Sequence, residues 1–104
     1  MKYLGNAFSL QMVAEMPATI SVRELTQAEF SIALPQCESV IGHPTTAAIL
    51  SNLFSEEIKT NRISVTLKPG DVLYVAQYSG PRLEEGSTEL PEGAKFRWLV
   101  VTIN

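Results

Sequence analysis

One histidine, one cysteine and one aspartate, Asp71, limit the chemistry open to this chain. Those side chains are too few for a metal cluster, and a lone Cys37 cannot close an internal disulfide, so Cys37 reads as a quiet thiol. What remains is polar chemistry at four stations: Asn6 with Ser9, His43, Gln77, and Arg82 with Glu85. Imidazole is the side chain suited to give or take a proton near neutral pH, a role typically worth about 10²–10⁴-fold in rate. The Arg82 guanidinium presents a fork of donors that matches phosphate, and Glu85 can orient that fork or take part in proton transfer. Asn6, Ser9 and Gln77 can hydrogen-bond phosphate, ribose or base. The set suits the self-cleavage chemistry of RNA, in which a ribose 2′-hydroxyl attacks the adjacent phosphorus and the 5′-oxygen leaves. A protein catalyst must align those groups, steady the charge and protonate the leaving oxygen. No side chain stands out as a general base, so alignment of the 2′-hydroxyl is expected to matter more than its deprotonation.

The elements around these residues read as strand ends and helix starts. Pro44 suits a first helical position, and Thr45 to Phe54 places Ala48, Ile49, Leu53 and Phe54 on one apolar side. His43 therefore sits at or beside the N-cap, where free backbone N–H groups and the positive end of the helix dipole face any nearby anion. Lys2 to Ala7 reads as a strand and Phe8 to Glu15 as a helix capped by Ser9 and stopped by Pro17, so Asn6 and Ser9 lie at their junction. Gln77 ends an apolar strand, Val72 to Gln77, and Arg82 to Gly86 forms a loop or a single helical turn that would bring Arg82 against Glu85.

The remaining elements follow from period and punctuation. Thr19 to Arg23 alternates as a half-buried strand, and Thr26 with Glu29 forms a capping box for a short helix holding Phe30, Ile32 and Ala33, ended by Pro35. Arg62 to Leu67 alternates again, and the Lys68-Pro69-Gly70-Asp71 turn predicts a hairpin with the Val72 strand. Lys95 to Ile103 is a final strand, in which Trp98, like Tyr74 before it, is expected in the core rather than as a base-stacking platform. About five strands and three helices give an α/β (α+β) fold, a mixed sheet flanked by helices in one domain over residues 1–104. A formal charge of −3 argues against gripping long nucleic acid but leaves room for a small nucleotide. With no long apolar run and no signal-peptide core, a cytoplasmic protein away from membranes is expected.

Four segments occur together in one known family. Asn6-Ala7-Phe8-Ser9, Ile41-Gly42-His43 with Thr45-Thr46, Lys59-Thr60-Asn61-Arg62, and Arg82-Leu83-Glu84-Glu85-Gly86 stand in that order in the viral anti-CRISPR ring nucleases of type III systems and their bacterial relatives. The chain resembles that family from near residue 2 to near residue 103. The loop from Gln77 to Arg82, carrying Gly80-Pro81, is one residue longer than in the viral members, and the region after Glu85 is shorter. The resemblance implies a homodimer that binds cyclic tetra-adenylate and cuts it, without metal or cofactor, into linear dinucleotides with 2′,3′-cyclic phosphate ends, switching defence signalling off. It places catalysis on His43, with Glu85 beside it, and ligand contacts on Asn6, Ser9, Gln77 and Arg82. A ring of four identical nucleotides has a two-fold axis that a symmetric dimer can share, so each subunit would bring one His43 to one of two opposite bonds. The alternative is a non-catalytic module that sequesters or senses a cyclic oligonucleotide, with His43 used for recognition alone.

Overall fold

Seven regular elements carry the chain, and the computed structural model describes all of residues 1–104. In order they are β1 (Lys2–Gly5), β2 (Ile20–Leu25), α1 (Gln27–Ala33), β3 (Glu38–Ser39), α2 (Pro44–Phe54), β4 (Val72–Ser79) and β5 (Lys95–Ile103). Single 3₁₀ turns lie at Leu10–Met12 and Leu34–Gln36. β4 and β5, rich in β-branched and aromatic residues, pair antiparallel from Val72 opposite Thr102 to Ser79 opposite Lys95. β2 adds antiparallel to β5, β1 runs parallel to β4, and β3 runs parallel to β1. The result is one mixed five-stranded sheet, order β2-β5-β4-β1-β3, in a single α+β domain.

Each face of the sheet buries its own core. Side chains alternate across a strand, so Tyr74, Ala76 and Tyr78 of β4 face the helices while Leu73, Val75 and Gln77 face the other way. On the helix side, Phe30 of α1 is fully buried, with its ring 4.9 Å from Trp98 and 6.0 Å from both Phe54 and Tyr74. Such aromatic pairs add about 0.5–1.5 kcal/mol each beyond the area they cover. Ala47 and Leu50 of α2 complete this layer with Leu4, Ile41 and Val100. Trp98 is thus a core residue, as its place in an apolar strand predicts. The opposite face buries Leu67, Leu73, Val75, Val101 and Ile103, with Phe8, Met12, Val13 and Val65 packed against them.

Three expectations are corrected. The Arg62–Leu67 stretch forms no hairpin with β4, because both edges of β4 are already taken by β1 and β5. Its alternation is real but serves burial: Val65 and Leu67 turn onto the sheet face, and only an isolated parallel bridge joins Leu67 to Val13. The fifth strand is instead β3, in a stretch whose polar sequence reads as a connection. The helix expected from Phe8 to Glu15 shrinks to one 3₁₀ turn, because Ala14 N–H donates to Leu67 O and Leu67 N–H donates to Met12 O, which draws the chain out of helical geometry. The capping box of α1 forms as the sequence predicts, Glu29 N–H donating to Thr26 Oγ1 at 3.1 Å and Thr26 N–H to Glu29 Oε1 at 2.9 Å.

Candidate functional site

α2 starts where its sequence dictates. Pro44 takes the first helical position and His43 the N-cap, in extended conformation with φ −119° and ψ 115°. The imidazole does not cap the helix; its side chain makes no hydrogen bond to the first turn. Ala47 N–H is the first to find a helical acceptor, His43 O at 3.1 Å, so the N–H groups of Thr45 and Thr46 have no partner in the protein. Asn61 holds this junction in place. Its side-chain amide donates to Ser39 O at 3.0 Å and its backbone N–H to Ile41 O at 2.8 Å, bracketing the approach to Gly42 and His43.

The N-terminus of α2 opens on a cleft of about 1300 Å³. It lies at the carboxyl ends of the parallel strands β1 and β4, where open sheets place ligands. Asn6, one residue past β1, lines one wall; His43, Pro44, Thr45, Thr46 and Ala48 form the second; Tyr78, Gly80 and Arg82 to Gly86 form the third. Thr45 and Thr46 are 4% and 5% exposed, both at the cleft. Thr45 Oγ1 accepts from Gly86 N–H at 3.4 Å, which fastens the loop to α2, and Asn52 adds a second tie by donating to Thr88 O at 3.1 Å. The Thr46 hydroxyl makes no hydrogen bond within the protein. Unpaired amides, an unpaired hydroxyl, an exposed imidazole and a guanidinium thus share one concavity with two carboxylates, Glu84 and Glu85. Donors of this kind at a helix N-terminus form an anion site.

Of the six residues singled out in the sequence, Asn6, His43, Arg82 and Glu85 come together here. Arg82 and Glu85 do so without the expected pairing: residues 82–86 form an irregular loop rather than a helical turn, and no ion pair joins the two. Ser9 and Gln77 lie elsewhere in the chain. Ser9 caps the 3₁₀ turn, its Oγ accepting from Gln11 N–H at 3.3 Å, and Gln77 projects from the other face of β4 opposite Arg97. Two further residues that line the cleft, Thr46 and Tyr78, lie outside those six. Thr46 was legible as the third residue of a helix begun by proline. Tyr78 was legible from its alternation with Tyr74 and Ala76. Arg62 does not line the cleft, but folding lays its stem across Gly42, next to His43, so closely that a Cβ on Gly42 would stand 3.0 Å from Arg62 Cγ. No three His, Cys, Asp or Glu side chains converge as a metal site, and no helix is long and apolar enough to cross a membrane.

The family described as STIV B116-like matches over residues 2–95. The chain belongs to that family. Its B116-like relatives are proteins of archaeal viruses. Uncharacterized protein 26 of Sulfolobus islandicus filamentous virus is 35% identical over 88 residues, 83% of this chain and 74% of that one. Uncharacterized protein ORF116 of Acidianus filamentous virus 1 is 33% identical over 86 residues, 81% and 73% of the two chains. The solved structure of B116 from Sulfolobus turreted icosahedral virus superposes with a TM-score of 0.85 at 28% identity, over 97% of each chain. The B116-like fold therefore holds across nearly the whole molecule.

Proposed function

We propose that this B116-like protein is a ring nuclease that binds cyclic tetra-adenylate across a homodimer and cleaves it, without metal, to linear di-adenylate with a 2′,3′-cyclic phosphate. The observation that carries the reading is the N-terminus of α2, where two unpaired backbone N–H groups and the exposed imidazole of His43 face one cleft together with Arg82. The identity of the ring comes from the resemblance of the Asn6, His43, Asn61 and Arg82 segments to the ring nucleases. In this mechanism a scissile phosphate docks on the Thr45 and Thr46 amides, and Arg82 neutralises its second oxygen. The ribose 2′-oxygen attacks phosphorus in line, its proton passing to solvent, the P–O5′ bond breaks, and His43 supplies a proton to the departing 5′-oxygen. Asn6 reaches the same nucleotide and Glu85 orients Arg82 once ligand is bound, whereas Ser9 and Gln77, outside the cleft, take no part in this step. Such a step would silence signalling by a type III defence, a role consistent with a family found in viruses.

One observation favours a second reading, a non-catalytic binder. The His43 imidazole has no hydrogen bond that would fix its orientation for proton transfer. Incubation of the ring in excess EDTA with wild type and with His43→Ala separates the two. The nuclease reading expects a cyclic-phosphate dinucleotide from wild type alone, whereas an intact ring held by both proteins establishes the binder.

A further inference from the structure

Arg82 has no ion-pair partner, so something other than charge must set where it stands in the cleft. The chain leaves β4 through Ser79, Gly80 and Pro81, and this bend is built tightly. Gly80 adopts φ +146°, a conformation reserved for glycine, and a Cβ there would lie 2.7 Å from Ala94 Cα and 3.2 Å from the Tyr78 hydroxyl. Two backbones thus cross at the neck of the 80–94 loop with no room for a side chain between them. Beside this crossing, the Tyr78 hydroxyl donates to Pro81 O, the carbonyl of the peptide bond that leads into Arg82. The Tyr78 ring is itself held, packed edge-on against Phe96 of β5 with centroids 5.7 Å apart. Phe96 leans in turn on Trp98, 5.1 Å away, in the main core. A continuous aromatic path therefore runs from the buried centre of the sheet to the peptide that carries Arg82.

We infer that Tyr78 is a positioning residue for Arg82: its hydroxyl fixes the Pro81 carbonyl and so aims the guanidinium at the N-terminus of α2. The inference rests on the ring-nuclease reading for its catalytic consequence and on geometry alone for the clamp. Glu85, in the same loop, is held separately through Gly86 on Thr45, so the clamp acts on the Arg82 end of the loop.

Tyr78→Phe tests this, because it removes the hydroxyl and leaves the ring against Phe96. A lost hydrogen bond of this kind corresponds to roughly 3- to 10-fold in an equilibrium. Deuterium exchange at Arg82 to Gly86 is expected to quicken by about that factor in Tyr78→Phe, with the melting temperature little changed. Single-turnover cleavage of cyclic tetra-adenylate is expected to slow by a similar factor in the wild-type background and not at all in Arg82→Ala, since the hydroxyl acts through that arginine. Unchanged exchange in the loop overturns the clamp. Slowing of equal size in the Arg82→Ala background overturns the link to Arg82, as does full activity of Tyr78→Phe beside an active wild type. A wild type inert toward the ring overturns the nuclease reading and this catalytic role together, while the exchange measurement still decides the clamp.

Discussion

Replacing Thr46 by valine keeps the branched shape of the side chain and removes one oxygen from the wall of the cleft. That oxygen takes part in no hydrogen bond of the folded chain and, since no buried side-chain oxygen lacks a partner, it keeps contact with solvent even though the residue is 95% covered. Folding therefore loses no partner when the hydroxyl goes, and stability is expected to stay within about 1 kcal/mol of wild type, a melting shift below roughly 8 °C for a domain of this size. Binding should respond quite differently. A hydrogen bond to a charged group contributes about 1.5–3 kcal/mol, which at 1.4 kcal/mol per decade is roughly a 10- to 150-fold loss in Kd. The assay is calorimetric titration with a ring carrying 2′-fluorine in place of each 2′-hydroxyl, which binds but cannot cut itself, alongside thermal melts. Thr45→Val is the contrasting variant, because Thr45 Oγ1 accepts from Gly86 N–H and its loss frees the loop. Wild-type affinity in Thr46→Val would refute a contact between this hydroxyl and the bound anion. So would a melting temperature lowered by more than about 10 °C, since the hydroxyl would then be supporting the fold.

The remaining prediction concerns acid stability. Lys68 N–H donates to Asp71 Oδ2 at 2.9 Å and holds that carboxyl below its usual value of 3.8. A carboxylate depressed in the folded state stabilises at pH above its unfolded value, and that contribution is lost as pH falls through the folded value. Asp71→Ala is therefore expected to melt roughly 4–8 °C lower at pH 7, for about 1 kcal/mol, with the gap closing as the pH falls below the usual carboxyl value of 3.8. A gap that persists unchanged at low pH would contradict the assignment. Glu24 is the comparison: hydrogen bonding to Arg97 also lowers its pKa, but the pair is exposed to solvent, so Glu24→Gln should leave the melting temperature unmoved.

Local signals in the chain proved legible where local forces decide the structure. The Thr26–Glu29 capping box, Pro44 at the start of α2, and the β-branched and aromatic run from Lys95 to Ile103 each form as their residue types predict, because their capping and propensity energies act within a few residues. The 62–67 stretch misled for a physical reason. Period-2 alternation reports one buried side, and burial against a sheet face produces the same pattern as pairing in a sheet. β3 was hidden for the converse reason, as a two-residue edge strand of Glu and Ser carries no apolar signal and pairs only because β1 offers it a free edge. In the site, His43 and Asn6 were legible as a helix start and a strand end. Arg62 beside Gly42, and Gln77 on the far face from His43, depend on long-range packing and on one-residue register in β4, which no local pattern records.

Because the chain has a single histidine, its imidazole gives one unambiguous NMR signal, and that signal reports directly on the central claim that His43 marks the nucleotide site. Titration with the 2′-fluoro ring is expected to move the His43 resonance until one ring is bound per two chains, and to move it in Tyr78→Phe as well. A resonance that stays in place while calorimetry registers binding would put the nucleotide elsewhere on the molecule and contradict the account.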